Sequence, residues 1–177
     1  MVDPNLLLKT LKENKIDTFC GVADSVLKNF LDEIEDDSSI KKNHYLCVNE
    51  GSAVSFAIGN YLSKKKSSCV YFQNSGLGNA INPLISIADK NVYSIPITLL
   101  IGWRGAPKTH DESQHISQGK ITLKQLKLLN IKYLVIDKDK ELKKIKNIIS
   151  FSKKKKVPVA ILIRKGFLKA PKNKKII

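Results

Sequence analysis

The chain has 177 residues, 42% hydrophobic and 27% charged, an ordinary globular make-up that suits one domain with a real core and is too short for two. The formal net charge is +15, nearly all lysine, because arginine occurs only at 104 and 164; nucleic-acid grooves want arginine forks and stacked aromatics beside the lysines, so a nucleic-acid partner is not expected. No apolar run approaches the roughly 20 residues that cross a bilayer, and the N-terminus lacks the basic start and apolar run of a signal peptide, so the expected location is cytoplasmic with no membrane partner.

Asp3 and Pro4 form a cap with proline at the first helical position, and Leu7, Leu8 and Leu11 continue a helical stripe to about Lys15. Residues 17–20 read as a short strand, and GVADS turns into a predicted helix from Ser25 to Asp36 with Val26, Leu27, Phe30, Leu31 and Ile34 inward. A strand at 44–48 leads to a helix from Gly51 to Leu62. A strand at 67–73 leads through NSGLGN into a helix ending near Ala88. The buried run 95–102 precedes a long polar loop, 103–119. Thr122 is expected to cap a helix to Asn130, followed by a strand at 132–136, a helix from Lys138 to Ser152 and a last strand at 157–164. Residues 1–165 make the domain, and 166–177 a charged, loose tail.

Strands that are continuous apolar runs, alternating with helices, predict an α/β fold: three αβα layers around a mainly parallel, six-stranded sheet. Ligands then bind beyond the carboxyl ends of the strands. The turns GVADS, NEGS and NSGLGN and the 103–119 loop, which holds the only Trp, fall there. Cys20, Cys47 and Cys69 are widely spaced in apolar stretches and read as reduced, packed thiols. His44, just before a strand, reads as an edge residue.

The bland alternatives matter at each turn. GLGNAI has two glycines of a dinucleotide fingerprint but Ile81 where the third belongs. Asp24 alone reads as a helix cap, and Glu50 alone as a first-turn acid favoured by the helix dipole. His110, Asp111 and His115 match no metal-ligand spacing, so no metal is assigned to this chain. The lysine runs 64–66, 153–156 and 172–175 read as solvated faces whose field would attract a small polyanionic substrate.

NEGSAVSFAIGNY, QNSGLGNAINPL and IGWRGAPKTHDESQH resemble phosphonopyruvate decarboxylase, a thiamine-diphosphate enzyme, and the NSGLGN turn is similar to that of the sulfopyruvate decarboxylase alpha subunit. The resemblance spans almost the whole chain, with Ala23 standing where that family shows proline. It implies the pyrimidine-binding domain, with Glu50 hydrogen-bonded to the cofactor's aminopyrimidine ring against an apolar wall of Cys47, Val48 and Ala53. It further implies Asp24 and His115 as catalytic groups near the reacting carbon. Gln73, Asn74, Gly76, Leu77, Gly78 and Asn79 would lie beside the cofactor, and Ser25, Arg104 and Lys108 would contact the small 2-oxo acid substrate. The implied reaction converts phosphonopyruvate to phosphonoacetaldehyde and CO2 in phosphonate biosynthesis; sulfopyruvate is the alternative substrate, and a non-catalytic flavodoxin-like assembly module the alternative class. No Gly-Asp-Gly occurs in the sequence, so diphosphate and Mg2+ would be held by a partner subunit or domain carrying that motif. A homo- or hetero-oligomer is expected, inactive without the diphosphate-binding half.

Overall fold

A computed structural model describes residues 1–170, so residues 171–177 of the expected tail, Lys172 to Lys175 among them, lie outside the described residues. Six strands, β1 Phe19–Gly21, β2 His44–Leu46, β3 Cys69–Gln73, β4 Thr98–Trp103, β5 Lys132–Val135 and β6 Val159–Arg164, form one sheet in the order β2-β1-β3-β4-β6-β5. Every pairing is parallel. Helices α1 Pro4–Glu13, α2 Lys28–Asp36 and α7 Lys143–Lys155 cover one face, where Leu7, Leu11, Phe30 and Ile145 meet Phe19, Tyr71 and Leu100. Helices α4 Glu50–Lys64, α5 Leu77–Ser86 and α6 Ser113–Leu128 cover the other, where Val54, Ala57, Leu84 and Leu126 meet Val70, Phe72 and Ile101. A single turn, α3 Ser38–Lys41, links α2 to β2. Neighbours along β3 point to opposite faces and all find helices. A parallel strand between two helical layers therefore reads as an unbroken apolar run.

Most boundaries differ from the sequence reading by a few residues, helix α7 starting at Lys143 rather than Lys138, and three differences bear on the turns. Helix α2 starts at Lys28, not Ser25: Asp24 Oδ1 accepts the Val26 N–H and Asp24 O accepts the Leu27 N–H, which closes a separate turn first. Strand β2 stops at Leu46, leaving Val48 91% exposed. Helix α6 begins at Ser113, nine residues before the expected cap at Thr122, so the connecting loop is only 104–112. Residues 166–170 are not loose. Val2 pairs with Leu168, and Lys169 Nζ lies 2.5 Å from Asp139.

His44 is more than an edge residue. Its ring nitrogens lie 2.6 Å from Glu35 Oε1 and 2.7 Å from the Tyr71 hydroxyl, tying the short edge strand to α2 and to the core.

The sheet order explains where the unusual turns meet. The chain steps from β1 outward to β2, then returns to β1's other side for β3. Such a switch opens a crevice at the carboxyl ends of the strands. The turns after β2, β1, β3 and β4 leave four adjacent strands, and they carry Glu50, Asp24, Asn74 to Asn79, and Arg104 to His115.

Candidate active site

Glu50 is the first residue of α4. Asn49 caps that helix, its Oδ1 accepting the Ser52 N–H at 2.8 Å, which uses one of the helix's unpaired amides. Glu50 Oε2 accepts from Asn79 Nδ2, in the first turn of α5, at 2.8 Å. Glu50 Oε1 has no donor among the described residues. Two glycines bring the helix starts this close. A Cβ on Gly76 would lie 2.3 Å from the Glu50 carboxyl carbon, and one on Gly51 would lie 2.8 Å from Asn79 O. Gly76 has φ −72°, which any residue adopts, so it is there for room rather than for a special turn. An open groove of about 660 Å³ runs on between α4 and α5, past Asn49, Ser52, Ser55, Asn79 and Asn82. The expected apolar wall is not where the sequence put it. Ala53 is buried and Cys47 partly so, but Val48 points to solvent, because β2 ends before it.

Asp24 lies beneath the neighbouring turn, 5% exposed. Its Oδ1 holds the Val26 N–H, while Oδ2 is buried with no hydrogen-bond partner among the described residues. A Cβ on Gly102, in β4, would fall 1.7 Å from Oδ2, so the carboxyl occupies the space that glycine leaves. Burial raises its pKa to about 6, against the opposing pull of the Val26 amide, Arg104 and His115. Leaving a buried carboxyl oxygen unpaired costs stability, and such groups concentrate where function requires them.

The remaining predicted residues divide by what they touch. Asn74 is 1% exposed and its amide is used within the protein: Nδ2 donates to Arg104 O and Thr122 Oγ1, and Oδ1 accepts the Arg104 N–H. It clamps the β3 turn to the β4 turn. Gln73 donates to Ser75 Oγ at 2.7 Å. Leu77 is buried, and Gly78 is open, with nothing within 4 Å of an added Cβ. Ser25 is exposed beside Asp24. Lys108 is exposed at a left-handed turn, φ 64°, and makes no ion pair among the described residues. His115 sits in the first turn of α6, its side chain 15% exposed and Nε2 3.8 Å from Glu112 Oε2.

Asp111 is the residue the sequence undervalued. Its side chain is wholly buried and accepts from Arg104 Nε at 3.2 Å, Arg104 Nη2 at 2.6 Å, Gly105 N and Lys165 Nζ. The Arg104 guanidinium beside it holds the carboxyl far below the usual range. Asp111 thus ties the 104–112 loop to the end of β6 and commits Arg104 to a bidentate pair.

Gly119 fixes the other side of that loop. A Cβ there would lie 1.8 Å from Gly105 O, and Trp103 Nε1 donates to Gly119 O at 3.1 Å. Gly119→Ala is expected to cost about 2 kcal/mol or more, because backbone blocks the added methyl. Gly59→Ala, in α4 with nothing within 4 Å, should instead gain roughly 0.5–1 kcal/mol. Urea unfolding midpoints of the two variants decide it; equal midpoints would mean that α6 parts from Gly105 freely.

Similarity to known proteins agrees with this arrangement. Residues 4–128 match the thiamine pyrophosphate enzyme N-terminal TPP binding domain. The chain is 33% identical over 156 residues to the sulfopyruvate decarboxylase subunit alpha of Methanococcus maripaludis, covering 88% of this chain and 90% of that one. The Methanocaldococcus jannaschii subunit alpha is 34% identical over 88% of this chain and 89% of its own. The phosphonopyruvate decarboxylase of Streptomyces viridochromogenes is 36% identical over 68% of this chain, but over only 29% of its own length. With more than half of its residues matched, and Glu50 opening a helix at the carboxyl edge of a parallel sheet, this chain belongs to the family of thiamine pyrophosphate enzyme N-terminal TPP binding domains.

Proposed function

We propose that this chain is the pyrimidine-binding subunit or domain of a thiamine-diphosphate-dependent decarboxylase that converts phosphonopyruvate to phosphonoacetaldehyde and CO2. The observation that carries the reading is the Glu50 carboxylate, held by Asn79 on one oxygen and open on the other. The residues fit a hydrogen bond to the cofactor's pyrimidine ring: one Glu50 oxygen has no donor among the described residues, and the carboxylate rests in room that any side chain at 76 would take. When bound, thiamine diphosphate supplies a carbon nucleophile and an electron sink for the departing CO2.

The chain's own residues then have separable tasks. Glu50 Oε1 holds or releases a proton at a ring nitrogen. Asn79 fixes the carboxylate's rotation by holding Oε2, which leaves Oε1 for the ring. Asp24 and His115 move a proton at the reacting carbon; a carboxyl that titrates near pH 6 is suited to that exchange near neutrality. Arg104 is pinned by Asp111 and shapes the loop, and its remaining guanidinium edge contacts the substrate beside Ser25. Lys108 offers an ammonium to the substrate's second anionic group. Diphosphate and Mg2+ belong to a partner bearing Gly-Asp-Gly.

A second substrate, sulfopyruvate, is supported by a specific observation. Subunits named for it match this chain over about nine-tenths of both lengths. Phosphonate and sulfonate demand the same cationic contacts, so Lys108 serves either. A non-catalytic assembly module is disfavoured, because it would gain nothing from the unpaired, buried Asp24 oxygen.

The test is CO2 and aldehyde release from each substrate with thiamine diphosphate, Mg2+ and a diphosphate-binding partner, and without the partner. Turnover of phosphonopyruvate only in the complex supports the proposal. Turnover of sulfopyruvate alone moves the assignment to that acid, and a stable complex inactive on both overturns it.

A further inference from the structure

A second concavity lies at the opposite end of the sheet. It is a cleft of about 350 Å³ between the end of α5, the end of α6 and the last turn of α7. Lys132 opens β5 on its wall, and Val157 and Pro158 lead into β6, so it faces the amino ends of the strands, away from Glu50. Its floor is apolar: Leu84, Leu129, Ile131, Phe151 and Pro158. Its rim carries Lys90, Lys132 and Lys155 against a single acid, Asp89, whose Oδ1 already accepts the Asn91 N–H at 2.8 Å.

The lysines are not all explained by helix ends. Lys155 closes α7 and suits the negative end of that helix. Lys90 lies in a turn and Lys132 in a strand. Lys132 Nζ lies 4.5 Å from the centre of the Phe151 ring, which places an ammonium against the aromatic wall. None of the three makes an ion pair among the described residues. A volume at the lower end of ligand sites, a mostly apolar lining and a few convergent charges are the marks of a small-molecule pocket.

We propose that this cleft binds a small molecule with a flat apolar body and one anionic group, the body on Phe151 and Ile131 and the anion at Lys132 and Lys155. The site is independent of the decarboxylase reading, because none of its residues belongs to the Glu50 turn cluster.

The experiment titrates the full chain with 2-naphthoate and, separately, with neutral 2-naphthol at pH 7, following naphthyl fluorescence. The expected result is one site that prefers the carboxylate about tenfold or more, the scale of one charge-assisted contact. In the Lys132→Ala/Lys155→Ala double variant, both of whose changed side chains are exposed, that preference should vanish while naphthol binds as before. Ile85→Glu, on the cleft's edge, should weaken both. A preference that survives the lysine variant would trace to the chain's general positive charge and overturn the proposal. So would failure of either probe to bind, or displacement of both by a diphosphate-binding partner, which would make the cleft a protein interface.

Discussion

Glu50→Gln should leave the fold intact and remove turnover. Gln has the shape of Glu, its amide oxygen still accepts from Asn79 Nδ2, and Asn49 still caps α4. The free energy of unfolding should therefore change by no more than about the 0.5 kcal/mol typical of a benign surface change. The amide cannot take up and return a proton. Positioned acid–base groups contribute roughly 100- to 10,000-fold, so kcat in the reconstituted complex should fall at least about 100-fold. The loss should appear in kcat rather than in KM, because the missing exchange belongs to the reaction and not to substrate capture. A variant that turns over normally would remove Glu50 from the chemistry and leave it a first-turn acid at a helix start.

The layers and the parallel sheet were legible because their cause is local. A strand covered on both faces must be apolar throughout, and Cys69 to Phe72 and Leu99 to Ile101 state this without any tertiary knowledge. Glu50 alone was legible only as a first-turn acid; its place among the turns came from the resemblance of the NEGS and NSGLGN stretches. What stayed hidden depends on contacts between distant segments. Residues 113–121 lack an apolar stripe, and Gly119 argues against a helix. They are helical because Gly119 admits the Gly105 backbone and Thr122 Oγ1 receives the buried Asn74 amide. The same clamp gives Asn74 a structural contact set that its place in a conspicuous motif did not announce. In the sequence Asp111 stands only as a candidate metal ligand beside His110 and His115; its contacts depend on Lys165, fifty-four residues on, which closes over it. Asp24 looked like a helix cap, and its Oδ1 does accept a backbone N–H, but that of Val26 in a separate turn ahead of α2. What the sequence could not show was that the other oxygen ends against Gly102 with nothing to bind.

That orphan oxygen makes a prediction with two opposite signs. Burial raises the Asp24 carboxyl to about 6, against about 3.9 in an unfolded chain. The folded state thus keeps this proton longer than the unfolded one. Its contribution to stability is complete below about pH 4, declines as pH rises through about 6, and stays lost above that. At 1.36 kcal/mol per unit the full penalty is about 3 kcal/mol. Asp24→Asn carries no charge and escapes it, while its side-chain oxygen still accepts the Val26 N–H. The variant should be about 1–3 kcal/mol more stable than the parent near pH 8 and equal to it near pH 4, read from urea midpoints at each pH. Its turnover in the complex should fall, because the amide exchanges no proton. More stable and less active is the signature of a residue kept for chemistry at the expense of the fold. Equal stability at both pH values would mean that the carboxyl is solvated, and unchanged turnover would take Asp24 out of the reaction and leave it a costly turn cap.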